Sequence, residues 1–136
     1  MTEKTIYHER VLEHYRHSKH KGTLENPSFT SGVYNPSCGD SITIQGIIES
    51  EGIGKSELIT ACKFQSEGCV ISTAAASLLC EYAIGKKKDE LIQCPSQTMI
   101  DLIQLPLGPT RLRCALISLE ALQKGLSDVA SNKVNT

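Results

Sequence analysis

The chain has 136 residues, 14 basic against 15 acidic, 40% hydrophobic but only 4% aromatic, with no tryptophan. That is the length of one domain, residues 1–136, able to bury a core without staples; the net charge of −1 gives no electrostatic footprint for nucleic acid or a membrane surface, and the few aromatics leave no stacking platform for single strands. Apolar runs such as AAASLLC are far too short for a membrane span and MTEKTIYHER is too polar for a secretory leader, so a cytoplasmic address is expected.

Residues 4 to 17 place Ile6, Tyr7, Val11, Leu12 and Tyr15 near helical spacing and predict an amphipathic first helix. SKHKGTLENPSF then loses periodicity around Gly22 and Pro27 and reads as an irregular connection. SFTSGVY is a weak strand. SITIQGIIES alternates Ile42, Ile44 and Gly46 against Thr43 and Gln45; EGIGKSE is a hairpin connection, and LITACKFQS is a further strand. Three strands joined by hairpins make an antiparallel sheet.

After Gly68 the period turns helical. CVISTAAASLLCEYAIG predicts a helix ending at Gly85, and KKKDELIQC and SQTMIDLIQL two short helices separated by Pro95. A last helix from about Thr110, its N-cap, to Leu126 repeats Leu112, Leu116, Leu119 and Leu122, followed by a frayed tail over 127–136. The fold class is α+β, a three-stranded antiparallel sheet with helices packed on one face.

The six cysteines divide by position. Cys62 inside a strand, in alternation with Leu58, Thr60 and Phe64, Cys80 deep in a helix, and Cys94 before Pro95 read as small buried hydrophobes; Cys80 lies roughly 16 Å along the helix from Cys69, too far to share one ion. Cys38, Cys69 and Cys114 sit at element boundaries. Cys38 lies among turn formers in NPSCGD. Cys69 opens a helix, where the positive end of the dipole favours a thiolate, and Cys114 falls in the first turn of the last helix beside Arg111 and Arg113. A metal held by three thiolates wants a fourth ligand, and Asp40 stands two residues from Cys38, with Gly39 free to turn both side chains the same way.

These motifs carry a resemblance. With HY and a following glycine (His14, Tyr15, Gly22), NPSCGD, EGCVISTAAASLL and RLRCALISLEAL in this order, the chain resembles the IscU/NifU N-terminal type of iron–sulfur cluster assembly scaffold over roughly residues 5 to 127. The resemblance implies a platform rather than an enzyme, on which sulfur from a cysteine desulfurase and iron become a transient [2Fe–2S] cluster destined for apo iron–sulfur acceptor proteins. It implies Cys38, Asp40, Cys69 and Cys114 as ligands of the cluster or of Zn2+, with the aspartate modulating cluster stability.

Two departures bear on the subtype. Where the family has a histidine just before its last motif cysteine, this chain has Arg113, which offers a metal no lone pair. That resembles the SufU-type branch, a zinc-bound sulfur acceptor that activates a desulfurase, with Cys114 as the catalytic persulfide carrier. Yet the Cys94–Cys114 interval is too short for the insertion usual in that branch. The family's chaperone motif LPPVK is LGPTR here, at Leu107–Arg111, so the resemblance does not extend to recruitment of an Hsp70-type chaperone. His8, His14, His17 and His20 cluster in the first helix region; His14 and His17 share a face, which is more often solvated than metal-binding, and a thiol enzyme would need one of them beside a nucleophilic cysteine.

Overall fold

The structure is a computed structural model that describes residues 3–36, 39–50, 52 and 57–134, with the side chains of 3–8 and 130–134 outside the description. Chain order is α1 (Glu3–Arg16), β1 (Phe29–Asn35), β2 (Asp40–Ser50), β3 (Glu57–Glu67), α2 (Val70–Ala83), α3 (Lys88–Ile92), α4 (Ser96–Ile103) and α5 (Pro109–Val134). The sheet is antiparallel in the order β1-β2-β3, with Asn35 opposite Asp40 and Ser41 opposite Glu67.

The alternation in β2 decides which face is covered. Asp40, Ile42, Ile44 and Gly46 turn inward against helices, while Ser41, Thr43 and Gln45 look the other way. Each fully buried isoleucine or leucine on the inner side contributes about 1.5–3 kcal/mol. The irregular segment runs first along the free edge of β3, where His20 and Gly22 exchange backbone hydrogen bonds with Phe64, and then passes over the outer face to β2, where the Leu24 N–H donates to Gln45 Oε1 and the Ser28 N–H donates to the Gly46 carbonyl.

The strand expectation for Cys62 needs one correction. The register shifts between Ile47 and Ile48, which face Ala61 and Ile59, so Thr60 is the extra residue of a bulge. Ile59, Cys62 and Phe64 therefore share the buried face, while Thr60 is exposed and Leu58 half-buried.

Alanine-rich α2 is buried on every side from Ile71 to Cys80, packed by α1, α4, α5 and β3. Small side chains let those neighbours approach a central helix closely. Gly85 follows it in the left-handed region, as expected for a C-cap glycine. The last helix begins one residue earlier than expected. Pro109 takes its first position, where a missing N–H costs nothing, and the Leu112 N–H donates to the Gly108 carbonyl, so Thr110 is not the N-cap. Helical backbone also continues past Leu126 to Val134, because no glycine or proline interrupts SDVASNKV and Val129 still packs against the core.

Candidate metal centre

The candidate centre lies where a hairpin, a helix start and a helix side meet. Asp40 follows the β1–β2 turn, in which the Gly39 N–H donates to the Asn35 carbonyl at 2.9 Å with Gly39 at φ +70°. Ser37 and Cys38 lie outside the described residues, so the expected first thiolate is not placed. As the first inward residue of β2, Asp40 is fully buried.

A carboxylate carried inside needs compensation, and the start of α2 provides it. The Cys69 N–H donates to Asp40 Oδ1 at 2.9 Å, and the Cys69 thiol lies 3.5 Å from Oδ2. The positive end of the α2 dipole points at the same carboxylate. Gly68, at φ +143°, makes the approach possible, since a Cβ there would overlap Oδ1 of Asp40.

Cys69 is itself the N-cap of α2. Its sulfur accepts from the Ser72 N–H at 3.5 Å, with the Ser72 hydroxyl 3.7 Å away and donating to the Cys69 carbonyl at 3.0 Å. Cys114 comes from α5, as the sixth residue of that helix rather than in its first turn, and is 3% exposed. Lying beyond the first turn, this thiol is not favoured as a thiolate by the dipole of α5, and Arg111 and Arg113, which precede it, are exposed.

One ligand atom each of Asp40, Cys69 and Cys114 lies within 4.8 Å of the others, and among the described residues this is the one set of three metal-binding side chains that converges. Ligand atoms around a four-coordinate zinc sit roughly 3–4 Å apart, so modest side-chain rotation would close the set on an ion. Two thiols and a carboxylate on three elements suit a zinc ion or the iron of a small cluster, which fits the donor chemistry expected from the sequence.

Sequence reasoning missed Gly68 and Ser72. The signal for them was present in EGCVIS, a glycine before a capping residue and a small polar residue three positions after it, which is capping-box spacing.

The other candidates stand apart. Arg113, exposed and next to Cys114 in sequence, lines a cleft of about 230 Å³ with Asn35, Pro109 and Thr110. His14 Nδ1 is 2.8 Å from the Ser77 hydroxyl, which also meets Ser18 at 2.7 Å, and His14 Nε2 is 3.5 Å from Glu81. Ser77 is eight residues beyond Cys69, about 12 Å along α2, so the geometry gives Cys69 no partnership with His14. His17 and His20 line the same cleft between α1 and α2. Cys62 and Cys80 are buried as expected, whereas Cys94 is half-buried beside the Pro95 carbonyl.

No helix among the described residues is long and apolar enough to cross a membrane. The family described as NifU-like N terminal domain matches residues 6–136. Iron-sulfur cluster assembly protein 1 of Oryza sativa subsp. japonica is 32% identical over 130 residues, covering 93% of this chain and 72% of that protein. The zinc-dependent sulfurtransferase SufU of Bacillus subtilis is 30% identical, covering 90% of each chain. That alignment runs over 141 positions, more than the 136 residues present here, so the relative carries residues this chain lacks. Among solved structures, a candidate iron–sulfur cluster assembly scaffold protein for the SUF system from Fervidobacterium islandicum AW-1 superposes with a TM-score of 0.71 at 25% identity, covering 92% of this chain and 99% of that one. With its three-stranded antiparallel sheet, the converging Asp40, Cys69 and Cys114, and a family match over residues 6–136, the chain belongs to the NifU-like N-terminal domain family of iron–sulfur cluster assembly scaffolds.

Proposed function

We propose that this protein accepts sulfur from a cysteine desulfurase, assembles a [2Fe–2S] cluster on Cys38, Asp40, Cys69 and Cys114, and passes it to apo-proteins. The observation that carries this reading is the convergence of one carboxylate and two thiols within 4.8 Å from three separate elements. The cluster is cargo. The shell that holds it must therefore also let it go, and a carboxylate among thiolates is the more readily exchanged ligand for iron. Asp40 Oδ1 is engaged by the Cys69 amide, which leaves Oδ2 as the oxygen facing the Cys69 sulfur. Cys69, only half-buried, is the more accessible of the two described thiols.

Anaerobic reconstitution with iron, a desulfurase and cysteine tests this. Visible charge-transfer absorption should develop in the wild type and fall to background in Cys69→Ala and in Cys114→Ala; equal absorption in the variants would count against the site.

A second reading is favoured by Arg113, a cation beside Cys114 where a histidine ligand would stand. In it, Cys38, Asp40 and Cys69 hold Zn2+ and Cys114 carries sulfur, as the Bacillus relative's name, zinc-dependent sulfurtransferase, suggests for that protein. The Cys114 thiolate attacks the outer sulfur of the desulfurase persulfide; the S–S bond breaks, the desulfurase thiolate leaves, and Cys114 becomes the persulfide. Mass spectrometry of the protein after desulfurase treatment separates the readings: added sulfur on Cys114 in a zinc-loaded protein favours the second, iron and acid-labile sulfide the first.

A further inference from the structure

Two core thiols have no part in the metal centre. Cys62 in the middle of β3 and Cys80 in α2 are 2% and 0% exposed, and their sulfurs lie 3.2 Å apart. A buried thiol is an ordinary small hydrophobe, and either residue alone would call for nothing more. Together they place two nucleophilic atoms from different elements in direct contact. The segment between them contains Gly68, Cys69 and Ser72, the residues that form the start of α2 beside Asp40.

We infer that Cys62 and Cys80 form a second cysteine site, an intramolecular disulfide between β3 and α2 made by exchange with a small-molecule disulfide. One thiol loses its proton and attacks a sulfur of the small disulfide, whose S–S bond breaks and releases one small thiolate. The second protein thiol, deprotonated in turn, attacks the protein sulfur of the mixed disulfide. The Cys62–Cys80 bond forms, the second small thiolate leaves, and the two protons from the protein end on the two small thiols. The protein loses two electrons and the small disulfide gains them.

The closed fold protects this couple. The hydrogen bond to Cys62, together with burial, holds the Cys80 thiol well above the usual thiol range, and neither sulfur meets solvent. Exchange therefore proceeds through local opening of α2 from β3. Once formed, the bond closes a loop around the start of α2 and fixes that helix to the sheet. None of this depends on what Asp40, Cys69 and Cys114 hold.

The test uses the full-length protein with glutathione disulfide, with and without urea below the unfolding transition, followed by alkylation in denaturant, digestion and mass mapping of linked peptides. The expected result is a Cys62–Cys80 peptide as the dominant product containing either residue, appearing several-fold faster in urea. The oxidised protein should also unfold at higher urea than the reduced protein and return to the lower midpoint with reductant. Cys62 or Cys80 joined to any other cysteine, held only as glutathione adducts, or still alkylated after the urea incubation would overturn the inference. A Cys80→Ala variant should show no linked peptide at Cys62; linkage of Cys62 elsewhere in it at the wild-type rate would likewise overturn the assignment.

Discussion

Gly68 matters through the atoms it lacks. Its φ of +143° is open to glycine, and any Cβ would occupy the space of the Asp40 carboxylate, so Gly68→Ala must push that carboxylate off the Cys69 amide or distort the turn into α2. Residues that orient metal ligands cost about 10–100-fold in affinity when changed. Zinc affinity measured against a competing chromophoric chelator should fall by that factor in Gly68→Ala, with the Cys69 and Cys114 thiols still present. Unchanged affinity would mean that Asp40 does not need its present position to serve the ion. The limit of sequence reading has the same cause. Cys69, Cys114 and Asp40 declare themselves by their chemistry, whereas Gly68 acts by an absence and the Ser72 N–H is a backbone group that any residue type would carry.

Periodicity marks which residues share a face of an element and leaves open what that face meets. α1 illustrates this: its pattern predicted the helix, but His14, grouped with solvated histidines, turns out to clamp α1 to α2 through Ser77 and Glu81. Period two likewise found β3 but not the bulge at Thr60, since an inserted residue is defined by its partner strand. At the other edge, the Phe29 ring of β1 fills the space left by Gly46 in β2 and Gly125 in α5, a fit between elements that neither sequence segment announces. The His14 contact has a pH signature. Burial first, with Arg10 and His20 adding to it against the opposing pull of Glu81 and Glu13, holds the His14 ring below its ordinary value. The unfolded chain then takes up this proton at higher pH than the folded chain. Stability from the α1 clamp is full above the ordinary histidine value of about 6.5 and falls as pH drops below it toward the lowered folded value. Urea midpoints measured at about pH 7.5 and 5.5 should differ in the wild type and differ less in His14→Gln. An equal difference in both proteins would place the pH dependence on other groups.

At the scale of the whole molecule, the candidate centre ties together parts that are distant in sequence: the β1–β2 hairpin end with Asp40, the start of α2 with Cys69, and the second turn of α5 with Cys114. The order of motifs made the fold and these residues legible, although only Asp40 and Cys69 sit at element boundaries and Cys114 lies in the second turn of its helix. Their mutual distances were not legible, because those depend on how α5 crosses β1 and β2 while α2 lies on β3. Such a cross-link has a thermodynamic consequence. An ion that binds only the folded arrangement stabilises it by about 2.7 kcal/mol when present at 100 times its dissociation constant. Zinc should therefore raise the thermal unfolding midpoint of the wild type, and a chelator should return it to the metal-free value. With Cys69→Ser or Cys114→Ser the rise should shrink, and with both it should be lost, because the remaining proposed ligands, Cys38 and Asp40, stand two residues apart and leave no ligand on α2 or α5. Zinc bound by cysteines of the unfolded chain would diminish the rise in every protein, so the comparison of variants carries the test. An equal rise in the double variant would show that the ion binds elsewhere and that the hairpin, α2 and α5 are held together without it.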